Sequence, residues 1–367
     1  MSAGAVTAPV SSNMALLRVL PGVFLLLTLL AGLTLSLRAH KIWARPEGMS
    51  IRAGSWQLAF GNRYDLHLPL RDPGIELWGD LDYLLGDGRP GVQIGSGGWL
   101  YTDEEFRTAP RDDEVIAAKL DYVAQVRARL AVQGTRLLVA LVPAKARVYP
   151  EHLGRKRIPA IKSDDYQGFR AGLEALGVTV PDLLAAMQAE KPQGDLFLHA
   201  DTHWTPLGAR VAARAIADTV SRRFPGLVQG DGSFLTVQAA PQSYFGDLLA
   251  YVRLGTLQQS WGPPRDLLVT ESTRRVSPAR PDSPQVLLIG TSYSANASWN
   301  FQGALESGLG TDLRNASEEG KGPVVPLEAY LDSLPDALPP KLLIWELPER
   351  FLDSPVPKPA KRVSGAS

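Results

Sequence analysis

VLLIGTSYSAN, residues 286–296, combines a short apolar strand, a tight turn at Gly290 and the start of a helix. A serine in a strand-to-helix turn projects its hydroxyl near free backbone N–H groups, which stabilise an alkoxide or an oxyanion. Ser292 is therefore a candidate nucleophile, although the stretch lacks the G-x-S-x-G pattern of a nucleophile elbow. The alternative is that Ser292 or Ser294 only caps the helix that follows.

A second polar segment, DTHWTPLG at 201–208, lies between a predicted short strand at 196–198 and a predicted helix at 205–224. Parallel α/β sheets place their sites at the carboxyl ends of strands. If Asp201 accepts a hydrogen bond from Nδ1–H of His203, Nε2 of the ring is left free as a base. The alternatives are an N-terminal cap at Asp201 and an ordinary loop histidine.

The rest of the chain continues the alternation of apolar strands with amphipathic helices. We predict further helices at 113–133 and 181–190, and further strands at 136–143, 286–289 and 341–346. Strand–helix alternation predicts a mostly parallel sheet that is covered on both faces.

The N-terminal region contains an apolar run, VLPGVFLLLTLLAGLTLSL at 19–37, without a charged residue. Its length is close to the roughly 20 residues that a helix needs to cross the hydrocarbon layer. No convincing A-x-A-like site follows it, so we predict an uncleaved anchor, with a removed signal peptide as the alternative. Arg18 precedes the run, whereas Arg38, Lys41 and Arg45 follow it, and these flanks favour a cytoplasmic location for the C-terminal side.

These observations predict one α/β domain behind a membrane anchor. The predicted divisions are a short tail at 1–18, a transmembrane signal anchor at 19–37, a linker at 38–55, the α/β domain at 56–353 and a disordered tail at 354–367.

The composition excludes several classes of function. The chain of 367 residues has 38 basic and 38 acidic side chains. Its net charge is therefore zero, which makes nucleic acid an unlikely partner. It has no cysteine, which excludes a disulfide scaffold, a cysteine-ligated zinc site and a cysteine nucleophile. Neither a P-loop nor a dinucleotide fingerprint is present, and we predict no cofactor and no metal.

Three motifs together resemble the SGNH-hydrolase-like domain of the alginate O-acetyltransferases: DTHWTPLG at 201–208, GTSYSANASWNFQGAL at 290–305 and IWELPERFL at 344–352. Weaker similarity in GWLY at 98–101 and LVPAKARVYP at 141–150 extends the resemblance over most of the predicted domain. It implies an SGNH-hydrolase-like, three-layer α/β/α fold with a mostly parallel sheet, in circularly permuted order. The apolar N-terminal run and the lack of an added carbohydrate-binding module favour the membrane-anchored member of the family.

The resemblance also assigns roles to residues. It implies that Ser292 is the nucleophile, His203 the base and Asp201 the acid that orients the base. Asp201 and His203 are two residues apart, as in the acetyltransferase branch, whereas the wider SGNH pattern has three. The Gly and Asn that complete the usual oxyanion hole have no obvious matches. Asn296 and Asn300 are candidates for it, together with backbone N–H groups.

Further residues are candidates with weaker support. Tyr293 follows the serine, and Arg147, Arg350 and Lys321 are candidate contacts for an anionic polysaccharide. Asp247, in YFGDLL, is a further acid beside a glycine, for which we predict no direct catalytic role.

The implied reaction is acetyl transfer through an acetyl-serine to hydroxyls of an exopolysaccharide, and the resemblance points to the mannuronate residues of alginate. The implied partners are a membrane-bound O-acyltransferase that supplies acetyl, the other alginate acetylation subunits and the bacterial inner membrane. The family places the domain in the periplasm, in conflict with the positive flank that follows the anchor.

Two alternatives stay open at this point. The first is an acetylesterase that uses the same three residues. The second is a tethered polysaccharide-binding subunit without activity. Its sugar-stacking aromatics would be exposed residues such as Trp99, Trp204, Tyr293 and Trp299, although core packing is the better prediction for most of the tryptophans.

Overall fold

The computed structural model describes residues 13–43, 50–228, 230, 232–255, 260–278, 285–334 and 338–356. The chain divides into two compact units, Met1–Leu81 with Arg253–Ser260 and Asp82–Val252 with Trp261–Ser367.

Ten short strands form in the described residues. They are β1 (Val92–Ile94), β2 (Leu100–Thr102), β3 (Arg136–Val142), β4 (Phe234–Gln238), β5 (Gln242–Tyr244), β6 (Asp266–Leu268), β7 (Glu271–Arg275), β8 (Val286–Ile289), β9 (Leu313–Asn315) and β10 (Leu342–Pro348).

Thirteen α-helical segments accompany them in the same part of the chain. They are α1 (Asn13–Arg38), α2 (His40–Trp43), α3 (Ser55–His67), α4 (Arg71–Leu85), α5 (Asp112–Val132), α6 (Lys145–Val148), α7 (Asp165–Ala175), α8 (Leu183–Glu190), α9 (Pro206–Arg223), α10 (Leu249–Val252), α11 (Ser292–Ala295), α12 (Phe301–Leu309) and α13 (Val325–Asp332).

The centre of the larger unit is a parallel sheet in the order β3-β10-β8-β9. In register, Leu343 of β10 lies between Leu137 of β3 and Leu287 of β8. All seven residues of β10 are buried. Because successive side chains of a strand point to opposite faces, both faces of this sheet are covered. The predicted α/β fold with a parallel sheet is therefore confirmed, and the circularly permuted order stays a prediction.

The helix that follows the DTHWTPLG segment begins as its sequence predicts. Thr205 is the N-cap of α9, and its side chain accepts a hydrogen bond from the N–H of Gly208 at 3.1 Å. Pro206 occupies the first helical position, where its missing N–H costs nothing. The helix is thus anchored two residues after His203, which fixes where the polar loop ends.

Two local predictions are wrong. Residues 196–198 form no strand of the sheet, because Phe197 pairs only with Trp204 and Leu198 donates to the carbonyl of His203. This segment folds back on its own polar loop instead of joining β3 or β10. Helix α8 begins at Leu183, not at the proline before it, because Asp182 caps it by accepting from the N–H of Ala185.

The N-terminal unit contains the predicted apolar helix. Val19–Arg38, within α1, is the one described helix long and apolar enough to cross a membrane, with a mean hydropathy of 2.2. The predicted linker contains α2 and the first residue of α3, and its residues 44–49 lie outside the described part of the chain. Residues 1–12 and 357–367 of the predicted tails also lie outside it. The predicted domain boundaries stay predictions.

Candidate active site

The candidate nucleophile lies in the turn between β8 and α11. Thr291 is the N-cap of α11, and its hydroxyl accepts from the N–H of Tyr293 at 3.3 Å. The alternative that Ser292 or Ser294 caps this helix is therefore wrong. Gly290 is required by close approach, since a Cβ there would lie 2.3 Å from Oε2 of Glu346.

The carboxylate of Glu346 on β10 holds this turn from behind. It accepts hydrogen bonds from the N–H of Thr291 at 2.7 Å, from the Thr291 hydroxyl at 3.1 Å and from the Ser294 hydroxyl at 3.0 Å. Burial raises the pKa of the Glu346 carboxyl group, while these donors lower it in part. The residues on either side of Ser292 are thus tied to the central strand of the sheet.

The structure brings the three implied catalytic side chains into one hydrogen-bonded chain. Nε2 of His203 lies 2.7 Å from Oγ of Ser292, and Nδ1 lies 2.7 Å from Oδ1 of Asp201. With Asp201 ionised, Nδ1 carries the proton, so Nε2 accepts from the serine hydroxyl. The serine is partly exposed, whereas the histidine is mostly enclosed.

Asp201 is fully buried and is held as an anion. Its Oδ1 also accepts from the backbone N–H of His203 at 2.8 Å, and its Oδ2 accepts from the N–H of Asp247 at 2.9 Å. Burial alone would raise the pKa of this carboxyl group, but the hydrogen bonds and charge of His203, with the backbone N–H groups, hold it below its usual value.

Asp247 lies in the same network, which its sequence context did not predict. Its carboxylate accepts from the N–H of Thr202 at 2.9 Å and from the Thr202 hydroxyl. Its Oδ2 lies 3.8 Å from Nδ1 of His203, and the side chain is 41% exposed. Partial desolvation and the charge of Asp201 raise the pKa of Asp247. Gly246 allows this approach, because a Cβ there would lie 2.0 Å from the carbonyl oxygen of Ala200.

Lys145 is a further supporting residue that no sequence pattern indicated. Its buried ammonium donates to the carbonyls of Leu100 at 2.6 Å, His199 at 2.8 Å and Asp201 at 3.1 Å. Burial lowers its pKa to about 8, with the charge of Glu105 acting in the opposite direction. The backbone of Asp201 is thereby fixed as well as its side chain.

Two aromatic rings enclose the imidazole. Trp299 stacks on His203 with ring centroids 5.2 Å apart and an interplanar angle of 21°, and it donates from Nε1 to the carbonyl of Ser292 at 3.2 Å. The Tyr293 ring centroid lies 4.9 Å from that of His203, and its hydroxyl donates to the carbonyl of Thr202 at 2.5 Å. Burial raises the pKa of Tyr293. Tyr293 therefore connects the turn that carries Ser292 (290–294, the serine turn) to the loop that carries His203 (199–205, the histidine loop).

The four aromatics considered for sugar stacking are all buried. They are Trp99, Trp204, Tyr293 and Trp299. The hypothesis that these residues form an exposed sugar-binding face is wrong, because their rings pack in the core or against His203.

The two asparagines that were candidates for the oxyanion hole form hydrogen bonds to other residues. Oδ1 of Asn296 accepts from the N–H of Ser298 at 2.9 Å, and Nδ2 of Asn300 donates to Oγ1 of Thr273 at 2.8 Å. The backbone N–H of Ser292, by contrast, has no hydrogen-bond partner among the described residues.

The candidate basic residues differ in their surroundings. Arg147 is held by Glu349, with Nε 2.9 Å from Oε1, and by the carbonyl of Ser163. Lys321 is exposed in a turn. The side chain of Arg350 is 10% exposed, and its guanidinium makes no hydrogen bond to a described residue.

Arg350 lies against two aromatic rings and forms one ion pair. Its guanidinium lies 5.3 Å from the Tyr293 ring centroid and 5.1 Å from that of Phe351, and Nε lies 3.4 Å from Oε2 of Glu104. Arg350 also lines an open cleft of about 480 Å³ beside the histidine loop. Other lining residues of this cleft are Glu104, Arg107, Thr202, Asp247 and Tyr251.

Asp201, His203 and Asp247 could together hold a metal ion, since one ligand atom of each lies within 4.8 Å of the others. However, both oxygens of Asp201 and both of Asp247 already accept hydrogen bonds from N–H or hydroxyl donors. Nε2 of His203 faces Ser292. The geometry fits a proton-transfer network better than a coordination sphere.

Known proteins resemble the chain over most of its length. The probable alginate O-acetylase AlgJ of Pseudomonas fluorescens is 40% identical over 343 residues, which cover 90% of this chain and 86% of that protein. The protein of the same description from Pseudomonas syringae pv. tomato DC3000 is 39% identical over 330 residues, covering 86% and 83%.

A solved structure and a family model agree with these relatives. The O-acetyltransferase domain of Pseudomonas putida AlgJ matches with a TM-score of 0.67 and 41% identity, covering 72% of this chain and 93% of that domain. The family model described as the SGNH hydrolase-like domain of acetyltransferase AlgX matches residues 92–349. The chain therefore belongs to the family of SGNH hydrolase-like acetyltransferases that includes AlgJ and AlgX.

Proposed function

We propose that this chain is an alginate O-acetyltransferase that works through an acetyl-serine at Ser292. The observation that carries the proposal is the hydrogen-bonded chain from Asp201 through His203 to Ser292 in a protein of this family. Alginate is the substrate that the names of its close relatives give.

In the first step, His203 Nε2 takes the hydroxyl proton of Ser292 as Oγ attacks the carbonyl carbon of an acetyl donor. The C–O bond to Ser292 forms, and the donor's leaving group departs with the proton from His203. Asp201 stabilises the imidazolium and keeps Nδ1 as its donor nitrogen.

In the second step, a sugar hydroxyl takes the place of the leaving group. His203 removes the hydroxyl proton as the sugar oxygen attacks the acetyl-serine carbonyl. The ester to Ser292 breaks, and its oxygen regains the proton from His203. The result is an acetylated sugar and free enzyme, without a metal or a cofactor in our scheme.

The backbone N–H of Ser292 is the donor that we propose for the oxyanion. It is part of the turn that carries the nucleophile, and it has no partner among the described residues. A preorganised N–H of this kind stabilises the negative charge that develops on the acetyl oxygen. The engaged amide of Asn300 is a weaker candidate for the same role.

Arg350 is the residue that we propose for recognition of an acidic acceptor. Its enclosed guanidinium lines the cleft beside the histidine loop and lacks hydrogen-bond acceptors among the described residues. A uronate carboxylate in the cleft would supply a charged acceptor for this guanidinium. Arg147 is not a good candidate, because Glu349 already occupies its guanidinium.

Recognition by Arg350 predicts a specific loss. Arg350→Lys keeps the charge but not the planar pair of donors, so KM for an oligomannuronate acceptor should rise several-fold. KM for the acetyl donor should stay unchanged. Acceptor kinetics with an acidic and a neutral oligosaccharide test this, and an equal change for both acceptors would contradict the role.

The apolar helix α1 fits an anchor in the inner membrane, with the catalytic domain in the periplasm. A multispanning O-acyltransferase would then pass acetyl across the bilayer, and an anchor would raise the local concentration of this domain near it. The family resemblance supports this orientation, whereas the basic residues after the helix favour the opposite one.

The test uses the full-length chain in detergent with a chromogenic acetyl ester, with and without oligomannuronate. Oligosaccharide mass should increase by one acetyl group per transfer, and only when Ser292 is present. Release of acetate without acetylated sugar would instead establish the acetylesterase. A folded wild-type chain that forms no acetyl-enzyme with the ester would contradict the proposed mechanism.

A further inference from the structure

Helix α4 turns its apolar face outward. Leu77, Trp78 and Leu81, all in the N-terminal unit, are exposed, the first two at 62%. At 100° per residue these three positions cover about 100° of the helix circumference, which is the width of the apolar stripe of an amphipathic helix. We call these three residues the α4 stripe.

The opposite face of α4 is acidic and packs inward in part. Asp80 is buried, and its carboxylate accepts from the N–H of Gly255 at 3.0 Å. Asp72 and Glu76 lie on the same side of the helix. The apolar side of this helix is therefore exposed, while Asp80 on the acidic side is buried and Asp72 and Glu76 stay exposed.

The chain connects this helix closely to the end of α1. Ser36, in the last turn of α1, hydrogen-bonds the hydroxyl of Tyr64 on α3 at 3.1 Å, and its carbonyl accepts from Nε1 of Trp43 at 2.8 Å. Trp and Tyr at the end of an apolar helix are typical of a membrane–water interface. From Tyr64, the seven residues to Arg71 reach at most about 25 Å.

We propose that the α4 stripe lies in the interfacial layer of the bilayer that α1 crosses, parallel to the membrane surface. The proposal rests on α1 being a membrane anchor, as in the proposed function. An amphipathic helix in this position buries its apolar side at the boundary between headgroups and acyl chains. The two attachments together would hold the N-terminal unit at the membrane surface.

The charge of α4 also predicts which lipids it prefers. Interfacial helices that depend on anionic lipid carry Lys and Arg on the polar face, whereas this one carries Asp72, Glu76 and Asp80. Insertion of the α4 stripe should therefore depend on apolar contact. It should persist in vesicles of phosphatidylcholine alone and at high salt.

The lack of cysteine makes a direct test simple, because one introduced cysteine gives one labelling site. The full-length chain is reconstituted in phosphatidylcholine vesicles with a nitroxide at Leu77→Cys, on the α4 stripe. The matched control is Asp72→Cys, on the opposite face of the same helix. Leu27→Cys, in the middle of α1, reports on the anchor itself. Collision rates with oxygen, which partitions into lipid, and with a water-soluble nickel chelate give the depth of each label.

We expect the Leu77 label to have a several-fold higher ratio of oxygen to nickel collisions than the Asp72 label. Equal, water-like ratios at both positions would overturn the proposal. Low collision rates with both reagents at Leu77 would also overturn it, because they would show a protein partner on the α4 stripe. A water-like label at Leu27 would contradict the anchor, and this failure is visible separately. Melting curves of the labelled chains confirm that each variant is folded.

Discussion

The turn that carries Ser292 and the loop that carries His203 are supported in different ways. A single buried carboxylate, that of Glu346, holds the residues on both sides of the serine. The histidine loop is held by the buried Lys145 on one side and by the partly exposed Asp247 on the other. The two halves of the site meet through the hydrogen bond between Ser292 and His203.

The two carboxylates support the site in different ways, Glu346 through the position of Ser292 and Asp247 through its charge. Glu346 contacts the turn but not the histidine, so its influence on the reaction must pass through the position of Ser292. Asp247 lies 3.8 Å from Nδ1 of His203, where its carboxylate acts on the site through its charge. Substitutions at the two carboxylates should therefore change different kinetic quantities.

The largest effect is expected where the two halves meet. Ser292→Ala removes the nucleophile and should lower acetyl transfer by on the order of 10⁴-fold or more, because no acetyl-enzyme can form. Single-turnover transfer to oligomannuronate measures this. Transfer within tenfold of the wild type would show that another group is acetylated.

Asp201→Asn should have the next largest effect. The amide donates where the carboxylate accepted, which favours the wrong histidine tautomer, and the cost in a comparable serine triad is about 10⁴-fold in kcat. Acetyl-ester turnover by the full-length chain measures the loss, with circular dichroism as the control for folding. Nearly normal turnover would show that Asp201 does not orient His203.

Glu346→Gln tests the support of the serine turn. Gln can accept the N–H of Thr291 but brings a donor towards two hydroxyls, so the serine turn should shift and kcat should fall about 10- to 100-fold. KM and the pH profile should stay unchanged. Glu271→Gln is the matched control, since that carboxylate is also buried but pairs with Arg210 outside the site. Equal losses in both variants would indicate general destabilisation.

Asp247→Asn tests the half that acts through charge and should have the smallest effect on maximal rate. Because desolvation and the charge of Asp201 raise the pKa of the Asp247 carboxyl group, its protonation contributes to the loss of activity on the acidic side of the pH–rate profile. The asparagine cannot titrate, so the acidic limb, scaled to the maximal rate of the variant, should move to lower pH. Asp182→Asn, at a similarly exposed helix cap, is the control and should leave the profile unchanged. A fall in rate without a shift would make Asp247 purely structural.

The sequence predicted the local elements that carry the site, because their signals are local. The apolar run before Gly290 and the cap at Thr205 are decided by neighbouring residues, and both form as predicted. The resemblance predicted that Ser292, His203 and Asp201 come together, although they are far apart along the chain, and the structure brings them together.

The supporting residues could not be predicted in the same way. Glu346 and Lys145 lie within apolar segments, where a charged residue has no periodicity that indicates its partner. Their hydrogen bonds join strands and loops distant in sequence, so they depend on the sheet order. The wrong prediction of a strand at 196–198 has a similar cause. The pairing of Phe197 with Trp204 depends on the tertiary structure, which the local sequence does not reveal.

The central claim, an acetyl group held on Ser292, is tested most directly by intact-protein mass spectrometry of the full-length chain. The protein is mixed with an activated acetyl ester, without acceptor, and quenched in acid. We expect one added acetyl group in the wild type, mapped by fragmentation to the peptide that contains Ser292, and its loss on addition of oligomannuronate. An acetyl group on another residue, or an acetyl-Ser292 that oligomannuronate does not discharge, would contradict the account.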